Sequence, residues 1–270
     1  MVDFTTTFGA KSKKKKKSGT REGDSEEGDK DEEEVNLGAA QYPKGTKSPA
    51  AKHSWYAVRL EPHDYKLVFS MSQDEQKKVL DAHQAFAKRV GYEDLGKGMF
   101  RWHIPRGCEP DMGCAFGAMT DASGDALKPL VALFRDYAKE HRLNTEQVAN
   151  LVVTFVQQIH YERPKDQPFE ILPPANVVAE KRGDCDSKSL LAHLILREFG
   201  IESVMLSSRA HGHAMLGIAI PAPGKHQFNF GGHTYAFTEL TAPNSPIGHV
   251  NDELLRPDDW KVVPTRWPSP

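Results

Sequence analysis

Apolar residues recur at regular spacing from residue 53 onward, and this pattern predicts most elements of the fold. Two runs rich in strand-forming residues, 54–60 and 65–70, flank a short polar stretch that contains a proline, and together they predict a β-hairpin. Apolar side chains over 127–138 and 148–159 recur every third or fourth residue. They predict two helices, because residues at that spacing fall on one helix face.

Polar residues at two helix starts strengthen these predictions. Ser72 and Glu75 form a capping-box pattern, which predicts that a helix begins there and ends near Gly91. Asn144 and Gln147 precede the apolar run at 148–159 and can cap its helix in the same way.

The second half of the chain predicts one more helix and then a series of strands. The helix begins near Cys185 and is stopped by Gly200. Strands are expected at residues 202–208, 213–220 and 233–239, with a Gly-Gly turn before the last of them. Residues 92–122 are rich in Gly and Pro and are expected to form loops. Helices followed by a run of strands predict an α+β fold.

Composition divides the 270-residue chain into three parts. Residues 1–50 combine the run KSKKKKK with a largely acidic stretch and contain few large apolar residues, so we expect a disordered charged tail. A solvated linker is favoured over an anion-binding or nuclear-address role for the lysine run. Residues 51–122 hold the hairpin, a helix and loops, and residues 123–270 hold the predicted core. A chain that begins near Ala51 is therefore expected to keep its stability.

Charge, hydropathy and cysteine content exclude several classes of protein. Lys and Arg number 35 against 37 Asp and Glu, which argues against a nucleic-acid binder. No apolar stretch approaches the ~18–20 residues of a membrane span, and residues 1–10 lack a signal-peptide pattern, so a cytoplasmic location is expected. Three cysteines exclude a disulfide scaffold, and Cys108 and Cys114 are expected to be free thiols or core filler.

Cys185, His213 and Glu239 form a candidate nucleophile, base and acid. Cys185 lies at a predicted helix start, where backbone N–H groups favour a thiolate, so we expect a pKa below the ordinary thiol value of about 8.5. Asp184 and Asp186 would oppose this unless their charges turn outward. His213 and Glu239 lie on two predicted strands, and neighbouring strands would let the carboxylate orient the imidazole. Spacing alone leaves a buried structural Cys and an ordinary His as alternatives.

Four short motifs follow one another in this half of the chain. They read FVQQIHY at 155–161, RGDCDSKSLL at 182–191, HAMLGI at 213–218 and YAFTELT at 235–241, with an Ile-Gly pair at 247–248. In this order they resemble the transglutaminase-like superfamily, and more narrowly its prokaryotic cysteine-peptidase-like branch. The early hairpin with Trp55 and Tyr56 is similar to that branch as well, so the resemblance covers residues 53–250.

The resemblance implies a papain-like core in which the cysteine-bearing helix packs on an antiparallel sheet. It implies that Cys185 is the nucleophile, that His213 is the general base and acid, and that Glu239 orients His213. The backbone N–H of Cys185 would form part of an oxyanion hole, with Gln157 as a candidate second donor or, equally, an ordinary helix-surface residue. The chain departs from the branch pattern, without touching the triad, at Asn176, Asp186-Ser187 and Leu240.

These residues favour a thiol-dependent acyl-transfer enzyme that acts on amide bonds of a protein or peptide substrate. A cysteine peptidase or amidase is the simplest form, because water is always present to hydrolyse the thioester. A transglutaminase and a non-catalytic binding module of the same fold are the alternatives. A metal or redox protein using Cys185, His211 and His213 is disfavoured, because spacing places no fourth ligand. No cofactor and no resident metal are expected.

Overall fold

The computed structural model describes residues 34–41, 49–96, 98–108, 112–221, 225–263 and 265, and these residues form a mixed α+β fold, as predicted. The helices are α1 (Gln73–Arg89), α2 (Gly113–Glu140), α3 (Thr145–Gln157), α4 (Pro174–Glu180) and α5 (Cys185–Glu198). The strands are β1 (Val35–Gln41), β2 (Ala51–Tyr56), β3 (Asp64–Ser70), β4 (Glu93–Gly96), β5 (Met99–Arg101), β6 (His160–Tyr161), β7 (Arg182–Gly183), β8 (Ser203–Ser208), β9 (His213–Ile218), β10 (Gln227–Phe230), β11 (His233–Thr238) and β12 (Lys261–Val263). Short 3₁₀ turns lie at Pro168–Glu170, Asp252–Leu254 and Pro257–Asp259.

The N-terminal sheet has the order β1-β3-β2, and the predicted hairpin is its antiparallel pair β2–β3. Alternate side chains of β2 point inward, as period-two strand geometry requires. β1 pairs in parallel with β3, and its Ala40 is buried in the core opposite Phe69. The expectation of disorder throughout residues 1–50 is therefore wrong for β1, and a chain that begins at Ala51 lacks this strand. The KSKKKKK run lies outside the described residues.

A five-stranded antiparallel sheet of order β10-β11-β9-β8-β12 forms the second half of the fold. α5 packs on β8 and β9 and also contacts α2, α3 and α4, so it lies in the centre of the molecule. Its side chains are buried on nearly every face, as expected for a helix with neighbours all round. The opposite face of the sheet carries a smaller apolar cluster of Leu206, Met215, Phe237 and Trp260.

The region between α1 and the second predicted helix differs from the expectation of loops over 92–122. β4 and β5 form a small hairpin there, and α2 begins at Gly113 and runs across the expected boundary between residues 122 and 123. Ala115, Phe116 and Met119 of its first turns are almost completely buried. Their packing against neighbouring helices outweighs the low helix propensity of the glycines in this segment.

Cys108 and Cys114 are joined by a disulfide, with 5.6 Å between their Cα atoms. The expectation that both are free thiols or core filler is wrong, because Cys108 lies beside Cys114 in the first turn of α2 and the two sulfurs are bonded. Cys185 is consequently the one free thiol among the three cysteines. None of the helices in the described ranges is long and apolar enough to cross a bilayer.

Candidate active site

Cys185 is the first residue of α5, as predicted. Asp184 caps the helix, because its Oδ1 accepts hydrogen bonds from the backbone N–H of Ser187 at 2.9 Å and from the Ser187 hydroxyl at 2.5 Å. The Cys185 side chain is almost fully buried. Its thiol donates to Oδ2 of Asp186 at 3.6 Å, so the thiol hydrogen already has an acceptor within the same turn.

His213 and Glu239 form the pair that the sequence predicts. β9, which begins with His213, is the direct neighbour of β11, and Glu239 follows the last residue of β11. Nε2 of His213 lies 2.7 Å from Oε2 of Glu239, and both side chains are mostly buried. The other carboxylate oxygen, Oε1, accepts the backbone N–H of Thr241 at 2.7 Å and its hydroxyl at 2.6 Å. Three donors therefore fix the orientation of the Glu239 carboxylate.

Each member of this pair stabilises the charged form of the other. Burial alone would lower the pKa of His213, but the hydrogen bond and charge of Glu239, with the charges of Asp186 and Asp184, raise it above its ordinary value. Burial would raise the pKa of Glu239, but His213 and the two Thr241 hydrogen bonds hold it below its usual range. The imidazole therefore donates its Nε2 hydrogen to Glu239, and Nδ1 is the nitrogen that can accept and release a proton.

Cys185 lies next to the start of β9 without a hydrogen bond to His213. The backbone N–H of Ala214, the residue after His213, donates toward the Cys185 sulfur and favours its thiolate. Among the described residues, the acceptor of the thiol hydrogen is Asp186 and not His213. The structure thus places the start of β9 against Cys185, while the thiol bonds to Asp186 and the imidazole to Glu239.

The pKa of the Cys185 thiol is raised well above its ordinary value, which contradicts the predicted depression. Burial is the largest cause, followed by the negative charges of Asp186 and Asp184, and these outweigh the Ala214 N–H. Asp186 turns toward the sulfur instead of outward. Burial and the charge of Asp186 raise the pKa of Asp184 above its ordinary value. At neutral pH Cys185 is therefore a thiol.

The pH dependence of alkylation tests this protonation state. Without reductant, iodoacetamide should modify Cys185 slowly at pH 7, and the rate should still be rising above pH 9, because only the thiolate reacts. Asp186→Asn removes the nearest negative charge and should move the rise to lower pH. Asp121→Asn, at an exposed position of α2, is the matched control and should leave it unchanged.

Peptide mass mapping confirms that Cys185 carries the label, since Cys108 and Cys114 are paired. If the alkylation rate of the wild-type protein levels off below pH 8, Cys185 has the low pKa that the sequence predicted. If the alkylation rate rises over the same pH range in wild type and Asp186→Asn, the charge of Asp186 does not contribute to the raised pKa of Cys185.

Gln157 is not available as an oxyanion donor. It is buried at the end of α3, and its Nε2 donates to the carbonyl oxygens of Glu239 at 2.7 Å and Ser245 at 2.8 Å. Both side-chain hydrogens are thus used to hold the segment that follows β11.

The buried ammonium of Lys188 donates to the carbonyls of Gln157 at 3.1 Å and Ile159 at 2.8 Å. Burial lowers the pKa of Lys188 to about 8, although Glu239 opposes this. Lys188 thereby fixes the C-terminus of α3.

The alternative metal site does not assemble from the residues proposed for it. Nε2 of His211 lies 3.2 Å from Oδ2 of Asp259, and its ring stacks on Trp260, while His213 is held by Glu239. Among the described residues, ligand atoms of Asp184, Cys185 and Asp186 come within 4.8 Å of one another. Hydrogen bonds from Ser187 and from the Cys185 thiol already engage these carboxylates, so we do not assign the cluster as a metal centre.

Cys185 lines a cleft together with several residues that the sequence did not single out. Tyr161 and Arg163 follow α3, and Arg163 forms an ion pair with Glu170. Phe169, in the turn Pro168–Glu170, and Phe100 of β5 form an aromatic wall. Tyr161 belongs to the FVQQIHY motif, but no sequence signal marks the residues of the turn.

No protein-family model, curated protein or solved structure matches this chain significantly.

Proposed function

We propose that this protein is a thiol-dependent acyl-transfer enzyme acting on amide bonds, most simply a cysteine peptidase or amidase. Cys185 would be the nucleophile, His213 the general base and acid, and Glu239 the group that orients His213. The observation that carries the proposal is the buried His213–Glu239 pair at 2.7 Å, in which His213 begins the strand whose Ala214 N–H reaches the Cys185 sulfur. A buried imidazole–carboxylate pair beside a cysteine at a helix N-terminus is the arrangement that nucleophilic acyl transfer requires.

A papain-like core of the transglutaminase-like type is part of the proposal. The positions of the cysteine, the histidine and the acid support this part of the proposal. The cysteine heads a central helix, the helix packs on the antiparallel sheet, and the histidine and acid come from adjacent strands of that sheet. The cytoplasmic location and the protein or peptide substrate remain predictions.

The raised thiol pKa decides how the reaction would begin. Because Cys185 is a thiol at neutral pH, His213 has to remove its proton as the sulfur attacks, instead of meeting a preformed thiolate. Sγ forms a bond to the amide carbon, the thiol proton moves to Nδ1 of His213, and the C=O π pair moves onto oxygen. Collapse of this intermediate breaks the C–N bond, and the imidazolium protonates the leaving amine.

The second half of the reaction resolves the thioester. His213 removes a proton from water as the water oxygen attacks the thioester carbon, and collapse returns the proton to the departing sulfur. The products are a carboxylic acid and the Cys185 thiol. If an amine replaces water, the same steps give a new amide, which is the transglutaminase alternative. We favour hydrolysis because water is always present to attack the thioester.

Acyl transfer from p-nitrophenyl acetate tests the proposal without knowledge of the substrate. In the presence of EDTA, the wild-type protein should release p-nitrophenolate and carry a transient acetyl group on Cys185, located by peptide mapping. His213→Ala should acylate far more slowly, while His233→Ala, an exposed histidine of β11, should match wild type.

The same assay separates the alternatives. Release of acetate with regeneration of Cys185 supports a hydrolase. A product that forms only when a primary amine is added supports a transglutaminase. Failure of Cys185 to accept the acetyl group, with the fold intact by circular dichroism, would contradict the enzyme proposal and favour the binding module.

A further inference from the structure

The proposed reaction needs hydrogen-bond donors for the oxyanion of its tetrahedral intermediate. The helix N-terminus that bears Cys185 can supply a backbone N–H, because the first N–H groups of an α-helix have no intrahelical acceptor. Gln157 cannot supply a second donor, since its two amide hydrogens already reach carbonyls of Glu239 and Ser245. Any further donor has to come from another residue of the cleft.

Tyr161 is held beside the nucleophile by backbone hydrogen bonds. β6 runs parallel to β7, and this pairing sets Tyr161 opposite Gly183, two residues before Cys185. The N–H of Glu162 donates to the carbonyl of Gly183 at 3.1 Å and continues the pairing. Lys188 fixes the preceding turn through the carbonyl of Ile159. The position of Tyr161 relative to the start of α5 is therefore set by secondary structure and not by a free loop.

The Tyr161 hydroxyl is free to donate into the cleft. Its side chain lines the same cleft as Cys185 and is 47% exposed. In the part of the chain that the structure describes, its hydroxyl has no hydrogen-bond partner. The other tyrosine hydroxyls near the core differ in this respect, since Tyr65 and Tyr137 bond to each other and Tyr235 donates to Glu202.

The electrostatic surroundings keep the phenol protonated. Burial, followed by the charges of Cys185 and Asp184, raises the pKa of Tyr161 to about 12, and Arg163 only partly opposes this. A protonated phenol is a hydrogen-bond donor at every pH at which the enzyme would work. It adds no negative charge to a cleft that already contains Asp184 and Asp186.

We propose that the Tyr161 hydroxyl is the second oxyanion donor of the acyl-transfer reaction, acting together with the backbone N–H of Cys185. The inference rests on the proposed function. As Sγ bonds to the carbonyl carbon and the π pair moves onto oxygen, the O–H of Tyr161 donates to that oxygen and keeps its proton throughout. The hydrogen bond strengthens as charge develops on oxygen, so it stabilises the transition state more than the bound substrate.

Tyr161→Phe tests the inference, because it keeps the aromatic ring and removes only the donor. With p-nitrophenyl acetate, the Cys185-dependent acylation rate, corrected for the rate of Cys185→Ala, should fall on the order of 10²-fold. Alkylation of Cys185 by iodoacetamide should stay within about twofold, since displacement of iodide creates no oxyanion for Tyr161 to stabilise. Tyr56→Phe, on the N-terminal sheet, is the matched control and should leave both rates unchanged.

The two readouts separate the failure of this inference from the failure of the proposed function. Equal acylation rates in wild type and Tyr161→Phe would overturn the role of Tyr161 and leave the enzyme proposal standing. An equal loss of acylation and alkylation would also overturn it, because Tyr161 would then act by positioning Cys185. Absence of Cys185-dependent acylation in the wild-type protein would overturn the proposed function itself and the inference with it.

Discussion

Glu239→Gln is expected to lower kcat/KM for Cys185-dependent ester cleavage on the order of 10²–10⁴-fold while the fold stays intact. The reason lies in Thr241, whose N–H and hydroxyl donate to Oε1 of Glu239. In the variant these donors hold the amide oxygen on their own side, so the amide NH₂ faces Nε2 of His213. His213 must then accept at Nε2 and carry its hydrogen on Nδ1, the nitrogen that should take the thiol proton.

The pH profile of kcat/KM separates this electronic effect from a structural one. In the wild-type protein the rate should rise with pH as His213 loses its proton, at a pH above 6.5, because Glu239 overcomes burial and raises the pKa of the imidazole. In Glu239→Gln the carboxylate charge is gone while burial remains, so the pKa of His213 falls and the rise moves to lower pH. The plateau rate falls at the same time.

Glu202→Gln is the matched control for this prediction. Glu202 lies beside the same sheet and accepts the Tyr235 hydroxyl at 3.0 Å, away from His213, so its replacement should keep both the plateau and the position of the rise. Unchanged turnover and an unchanged profile in Glu239→Gln would assign Glu239 a structural role only.

The helix ends were predictable because they depend on residues within one turn of each other. Ser72 accepts the N–H of Glu75, and Asn144 and Gln147 form a reciprocal capping box, as their spacing indicates. Asp184 caps α5 in the same local way. The helix predicted from the apolar spacing over 148–159 was confirmed as α3, although its residues from Val148 to Gln157 are buried on every face.

The features that were missed depend on residues far apart in the chain. β1 has weak strand character alone and is defined by its pairing with β3. The first turns of α2 contain two glycines and become helical because their side chains are buried in the core. The role of Gln157 is fixed by carbonyls more than 80 residues away, at Glu239 and Ser245. Local propensity contains none of this information.

The contact between His213 and Glu239 was predictable from the sequence, but the electrostatics around Cys185 were not. Adjacent strands were enough to bring His213 to Glu239. The direction of the Cys185 pKa shift depended on whether Asp186 faces solvent or sulfur and on how deeply the thiol is buried. Both are decided by packing of the cleft walls around α5, so the sequence argument for a thiolate was incomplete.

Phe169→Ala is expected to destabilise the protein by about 3–5 kcal/mol, as for other buried phenylalanines. Phe169 is only 4% exposed and is the centre of an aromatic cluster. Its ring centroid lies 4.6 Å from that of Tyr92, 5.4 Å from Phe100 and 5.4 Å from Trp102. Phe230→Ala, at a position that is 48% exposed, is the control and should change the free energy of unfolding by less than about 0.5 kcal/mol.

A third variant at the same position tests the backbone of the cleft wall. Phe169 has a φ of 60°, in the left-handed region that glycine adopts without strain. Glycine normally costs roughly 0.5–1 kcal/mol relative to alanine, but here the strain relieved should offset that cost. Urea unfolding should therefore find Phe169→Gly at least as stable as Phe169→Ala. An alanine variant more stable than the glycine variant would contradict the left-handed turn that sets this aromatic wall against Cys185.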